Sequence, residues 1–212
     1  MSADAPKRIW DISQPLRMGV PVWPGDTPFR HERTWEMENG SPVNVSSITL
    51  STHTGAHADA PLHYSEGAPD IASVDLEPYL GECLLAELRG SGPLIQIEDL
   101  PPLDGVSRLL LRTFERFPHE QWASDTTAIA PETIAYLSKQ GVRLVGIDTP
   151  SIDPQESKSM EAHQAVLGAD MRVLEGLVLD HVPEGRYELI ALPLPIVKGD
   201  ASPVRAILRE LQ

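Results

Sequence analysis

A chain of 212 residues, 41% hydrophobic and 23% charged, is long enough for one full-sized core and short for two. Its formal net charge of -14 repels phosphate backbones and argues against a nucleic-acid partner. The single cysteine, Cys83, excludes an internal disulfide and suits a reducing compartment.

The opening residues, Met1-Ser-Ala-Asp-Ala-Pro-Lys-Arg, lack the apolar stretch of a signal peptide. No apolar run approaches the roughly 20 residues of a membrane span, so the expected location is the cytoplasm, away from membranes. Arg8-Ile-Trp-Asp-Ile-Ser13 is the first strand-like run, followed by the turn-rich segment Val22-Trp-Pro-Gly-Asp26. Val43 to Leu50 alternates in polarity and predicts a strand with one wet face. Cys83-Leu-Leu-Ala-Glu-Leu88 is an apolar strand-like run in which the cysteine reads as a small buried hydrophobe. Arg108 to Arg112 and Val142 to Ile147 predict further strands. Between them, 131–141 predicts a helix that Pro131 opens and Gly141 closes. A second helix is expected over 159–168, with Ser159 as its cap and Ala162, Ala165 and Val166 on one face. Tyr187 to Leu192 is the last strand-like run.

Twenty prolines and fifteen glycines divide the chain into short elements, and no internal repeat or long linker is visible. The expectation is one mixed α/β domain over residues 1–212, richer in strand than helix, with residues 1–7 flexible. Strand order does not follow from these runs.

Three of the seven histidines fall between positions 53 and 63, in the spacing His53-x3-His57-x-Asp59-x3-His63. Neutral imidazole and carboxylate are the usual ligands of zinc and similar divalent ions. Gly55 and Pro61 disfavour a regular helix here, so a folded loop after the Val43 to Leu50 strand is expected to turn these side chains toward one centre. Two downstream residues are further candidates. His163 near the start of the second helix is either a ligand or an ordinary half-buried histidine. Glu175, among the aliphatic residues of Arg172-Val-Leu-Glu-Gly-Leu-Val-Leu179, either faces water or is paired or metal-bound, because burying a lone carboxylate is costly. Asp148 and Asp153 flank a Thr-Pro-Ser turn; they either support the site from behind or cap backbone amides.

The segment His53 to His63 resembles the signature of the cyclase-like family of metal-dependent hydrolases, and most closely its branch of bacterial kynurenine formamidases (arylformamidases). Val22-Trp-Pro-Gly-Asp26, Gly146-Ile-Asp-Thr-Pro-Ser-Ile-Asp153, Leu192-Pro-Leu-Pro-Ile196 and Ser202-Pro-Val-Arg205 resemble the same branch. Ala56 departs from the wider family, where a threonine is common, but brings no ligand. The resemblance implies a swivelling β/β/α fold, a homodimer and two divalent ions per chain, usually zinc, with manganese as the alternative. By position, His53, His57 and Asp59 hold the first ion; Asp59 also reaches the second, which His163 completes, and Glu175 is a second bridging carboxylate. His63 matches the catalytic acid/base, and Trp23 an aromatic residue of the substrate pocket; from the residues alone, Trp23 also reads as a packing residue between Pro21 and Pro24. The implied reaction is hydrolysis of N-formyl-L-kynurenine to L-kynurenine and formate in tryptophan degradation, by a hydroxide bridging the metals. A related amide or lactam hydrolase, such as an isatin-type enzyme, is the alternative.

Overall fold

A computed structural model describes residues 7–211. Its strands are β1 (Ile9–Asp11), β2 (Arg30–Trp35), β3 (Val45–Thr49), β4 (His57–Asp59), β5 (Leu80–Glu87), β6 (Leu94–Ile95), β7 (Arg108–Arg112), β8 (Ala128–Ile129), β9 (Leu144–Ile147), β10 (Arg172–Glu175), β11 (Gly185–Ile190), β12 (Ala201–Pro203) and β13 (Ile207–Glu210). The helices are α1 (Pro61–Tyr64), α2 (Pro131–Lys139) and α3 (Glu161–Gly168). The mixed, strand-rich α/β fold read from the sequence is therefore the fold observed.

Nine strands form one sheet in the order β1-β13-β11-β5-β7-β9-β10-β4-β12. The centre, β5-β7-β9-β10, is parallel, and antiparallel strands extend it on both sides. Alternation along the central strands divides the apolar residues between two cores. Leu109, Leu111, Val145, Ile147 and Val173 pack with Ile134, Leu137, Ala162 and Val166 of α2 and α3. Leu110, Leu144, Leu174 and Ala58 point the other way, into a second core with Trp10, Leu85 and Leu208. Cys83 lies in that second core, 2% exposed, and burial pushes its thiol up to about 12, in keeping with an inert buried hydrophobe.

Three details depart from the sequence reading, and a fourth expectation falls outside the described residues. β3 pairs only with β2, in an antiparallel ribbon outside the main sheet, and all its residues are exposed, so the alternation of Val43 to Leu50 does not mark a half-buried strand. The segment 53–63 is not one loop: His57–Asp59 is a buried strand, and Pro61 opens a short helical turn. Ser159 does not cap α3. The residue there is Met160, and the amides of Ala162 and His163 donate instead to the Asp153 carboxylate at 2.9 and 3.0 Å. The flexibility expected of residues 1–7 lies outside the described residues, Lys7 excepted.

One glycine ties fold to site. Gly176, just past β10, has φ +65°, and a Cβ there would sit 2.5 Å from the carbonyl oxygen of Gly55. Gly176→Ala is expected to lower stability by about 1–3 kcal/mol through strain and crowding together. Gly141→Ala is the control: it has φ +90° with open space around it, and should lose less. The denaturant midpoints of the two variants provide the check; equal losses would mean the contact with Gly55 contributes nothing.

Candidate metal centre and adjoining cavity

β4 and β10 run antiparallel with Glu175 opposite His57 and Val173 opposite Asp59. His57 and Asp59 are two residues apart on one strand, so both project from the same face. Ala58 between them enters the second core, which leaves its neighbours facing the side covered by α3. There α3 supplies His163, and the turn before β4 supplies His53. Sequence segments more than a hundred residues apart thus converge: all five predicted ligands meet at one place, together with His63.

The inward distances are short. His53 Nδ1 lies 3.2 Å and His57 Nε2 3.5 Å from Asp59 Oδ1, while His163 Nε2 lies 3.2 Å from Asp59 Oδ2. Glu175 repeats the pattern, with Oε2 3.3 Å from His57 Nε2 and Oε1 3.4 Å from His163 Nε2. Both carboxylates are buried, Asp59 at 1% and Glu175 at 3% exposure. Burying carboxylates that close together costs several kcal/mol each without a compensating positive charge.

The other nitrogen of each of these three histidines faces an oxygen. His53 Nε2 meets Asp200 Oδ2 at 2.9 Å, His57 Nδ1 the Gly55 carbonyl at 2.8 Å, and His163 Nδ1 meets Asp153 Oδ2 at 2.6 Å. These partners only accept, so the outward nitrogens carry the protons. The inward nitrogens then need either a second proton or a cation. His57 Nε2 and Asp59 Oδ1 are buried without any hydrogen-bond partner, the arrangement expected where a cation is to sit. A divalent metal fits this donor set, and the outward acceptors fix ring orientation as supporting residues of metal sites do.

The protonation equilibria show the same demand for positive charge. Burial opposes a charged imidazole at His53, but Asp200 and Asp59 overcome it and push its pKa up to about 10. Burial likewise opposes charge on His163, and the bonds to Asp153, Asp59 and Glu175 raise it well above its ordinary value. Burial works against ionised Asp59 too, yet the bonds to His163 and His53 hold it well below the usual carboxylate range. His63 differs: burial lowers its pKa and dominates the pull of Asp59. Its Nδ1 is 3.5 Å from Asp200 Oδ2, and its ring centroid is 4.2 Å from that of His53.

Asp200 was not singled out from the sequence. It receives Thr52 and His53 and lies beside His63, yet 147 residues separate it from His53 and no spacing marks it. Its neighbours Ser202-Pro-Val-Arg205 were the only signal. The two uncertain aspartates divide cleanly. Asp153 both caps α3 and orients His163, whereas Asp148 binds the amides of Thr113 and Phe114 and the Thr113 hydroxyl.

A cavity of about 320 Å³ opens beside the cluster, reaching His53, His57, His63 and Glu175. Trp23, Phe114, Phe117 and Trp122 line it. Trp23 and Trp122 meet edge to face with centroids 5.3 Å apart, and the Trp122 indole donates to Gln155 at 2.8 Å. Asp148 and Asp180 hold the segment that carries the other aromatic residues, Asp180 accepting the Phe117 amide at 3.1 Å.

Residues 10–154 match the family model described as "Putative cyclase", and the chain belongs to this cyclase family. The match spans His53 to His63 and ends before His163 and Glu175. Over 205 residues the chain is 60% identical to the kynurenine formamidase of Erythrobacter litoralis (strain HTCC2594), covering 97% of this chain and 95% of the relative. A solved structure described as a potential metal-dependent hydrolase with cyclase activity superposes with a TM-score of 0.83 at 30% identity, covering 97% of this chain and 99% of its own. The fold is shared more distantly with isatin hydrolase A from Labrenzia aggregata, with a TM-score of 0.81, 24% identity and coverage of 97% and 94%.

Because the cluster holds protons that a cation must displace, divalent-metal binding should release protons at neutral pH. Affinity should fall as pH is lowered, since His53 and His163 are the groups whose pKa values are raised. Calorimetric titration with zinc in two buffers of different ionisation enthalpy measures the release. Binding without proton release, or with affinity rising toward acid, would contradict this account of the inward nitrogens.

Proposed function

We propose that this chain is a kynurenine formamidase, a metal-dependent amidohydrolase that converts N-formyl-L-kynurenine and water to L-kynurenine and formate in tryptophan degradation. The observation that carries the substrate is the 60% identity to a kynurenine formamidase over 97% of the chain. The inward-facing cluster beside an aromatic-lined cavity supports the chemistry. The same reading makes the protein a cytoplasmic homodimer; Trp35 and Val45, paired across the β2–β3 ribbon and exposed, with Ile48 on its other face and Met37 just past β2, are apolar side chains that a second copy could cover. Among the described residues no helix is long and apolar enough to cross a membrane.

Two divalent ions, zinc or alternatively manganese, are the proposed cofactors. The division of oxygens supports the number: Asp59 and Glu175 each turn one oxygen toward His57 and the other toward His163. His53 and His57 would hold one ion and His163 the other, with Asp59 and Glu175 shared between them. When bound, such ions polarise a carbonyl and lower the pKa of water from about 15.7 to about 7.

The remaining work falls to the protein. His63, with its pKa lowered by burial, stands neutral at pH 7 and able to take a proton from the attacking water. It returns that proton to the departing aryl amine, so that amide and water become amine and formate. Asp200 beside Nδ1 limits the orientations of the ring. Trp23 lies against the aryl ring, and its contact with Trp122 holds the indole in place before substrate arrives.

Chelation should abolish hydrolysis of N-formyl-L-kynurenine, which the wild type should use far better than isatin. His63→Ala should retain metal and lose rate on the order of 10²–10⁴-fold, whereas Asp59→Asn should lose metal. Steady-state rates and metal content of the same preparations distinguish the roles; a His63→Ala protein emptied of metal would make His63 a ligand. Trp23→Ala should impair N-formyl-L-kynurenine far more than a small formamide without the long side chain, at unchanged metal content. Equal impairment of both substrates would assign Trp23 to the general shape of the site.

A further inference from the structure

The cavity has aromatic walls and, outside the histidines of the metal centre, a one-sided charge. Among the described residues that line it there is no lysine or arginine, while three carboxylates do so: Asp26, Asp148 and Glu175. Glu175 belongs to the metal cluster. Asp148 is buried and occupied by three bonds from Thr113 and Phe114. Asp26 is exposed at the rim; one of its oxygens accepts the neighbouring Thr27 amide, and the other has no bond among the described residues.

Asp26 is also held at a defined distance from Trp23. The Asp26 amide donates to the Trp23 carbonyl at 2.9 Å, closing a turn through Pro24 and Gly25, whose φ of +90° is the third-position geometry of a type II turn. The ends of such a turn lie within about 7 Å of each other at Cα. In N-formylkynurenine the α-ammonium is four bonds from the aryl ring, roughly 5 Å away in an extended conformation. One turn therefore brings an aromatic residue and a carboxylate to the same cavity, with their Cα atoms close enough for the two side chains to meet neighbouring parts of one small substrate.

We propose that Asp26 is a specificity-determining residue that receives the α-ammonium group of the substrate while Trp23 meets its ring. The assignment rests on the formamidase reading and deepens it, since it selects aryl formamides carrying an amino-acid side chain over those without one. An ion-paired hydrogen bond to a positioned ammonium is the stronger kind, and its loss is felt in binding of the group that makes it.

The experiment compares wild type, Asp26→Asn and Asp26→Glu, each loaded with zinc, on three substrates. These are N-formyl-L-kynurenine, its analogue lacking only the amino group, and 2-formamidoacetophenone, which lacks the whole amino-acid end. Asp26→Asn should lose kcat/KM on the order of 10–100-fold on the first substrate and less than about 2-fold on the other two, with Asp26→Glu recovering part of the loss. L-Kynurenine binding, followed by calorimetry, should weaken in Asp26→Asn while 2-aminoacetophenone binding stays the same. Equal losses on all three substrates, or none on the first, would overturn the assignment. Failure of the wild type to hydrolyse any of the three would instead overturn the formamidase reading, and the role of Asp26 with it.

Discussion

The antiparallel pairing of β4 with β10 sets Glu175 opposite His57 and Val173 opposite Asp59, on a single face of the sheet. Two carboxylates and an imidazole are thereby fixed by backbone hydrogen bonds rather than by flexible loops. β10 is also parallel to β9, whose C-terminal end leads into the turn that carries Asp148 and Asp153. Asp153 in turn caps α3 and orients His163. A shift of one residue in the β4–β10 register would turn His57 and Asp59 into the apolar core that Ala58 now fills, so the register and the site are one constraint.

The stability of this arrangement depends on positive charge. Asp59 and Glu175 are almost fully buried and face one another across the same histidines. Each histidine gives its outward proton to an acceptor on a different part of the chain: Asp200, Gly55 or Asp153. Those acceptors leave the inward nitrogens for a cation and hold the rings in the orientation it requires. Gly176 contributes from behind, because only a residue without Cβ leaves the Gly55 carbonyl where His57 needs it. A chain of net charge -14 concentrates part of its excess at this one point.

The centre was readable where its residues are close in sequence. Four side chains between positions 53 and 63 announced a ligand cluster, His163 and Glu175 stood as candidates to which the resemblance gave roles, and the resemblance added Trp23; the fold brings His163 and Glu175 to the cluster and Trp23 to the adjoining cavity. The strand at His57–Asp59 was not readable, because three residues are too few for a period and the flanking Gly55 and Pro61 suggested a loop. Asp200 escaped notice because a carboxylate near the end of the chain has no spacing relation to His53. The cap of α3 was misread for a similar reason: Asp153 reaches the helix through tertiary structure, whereas Ser159 had only proximity in sequence. The alternation of Val43 to Leu50 was real, but the strand lies on a ribbon away from the sheet and buries neither face in this chain.

The central claim is that Asp59 and Glu175 each divide their oxygens between two cation positions. Anomalous diffraction from crystals of the zinc-loaded protein, recorded on both sides of the zinc absorption edge, measures this directly. Two peaks per chain are expected, one bounded by His53, His57, Asp59 and Glu175 and the other by His163, Asp59 and Glu175. A single peak among His53, His63 and Asp200, whose donor atoms also lie close enough together to hold an ion, would contradict it.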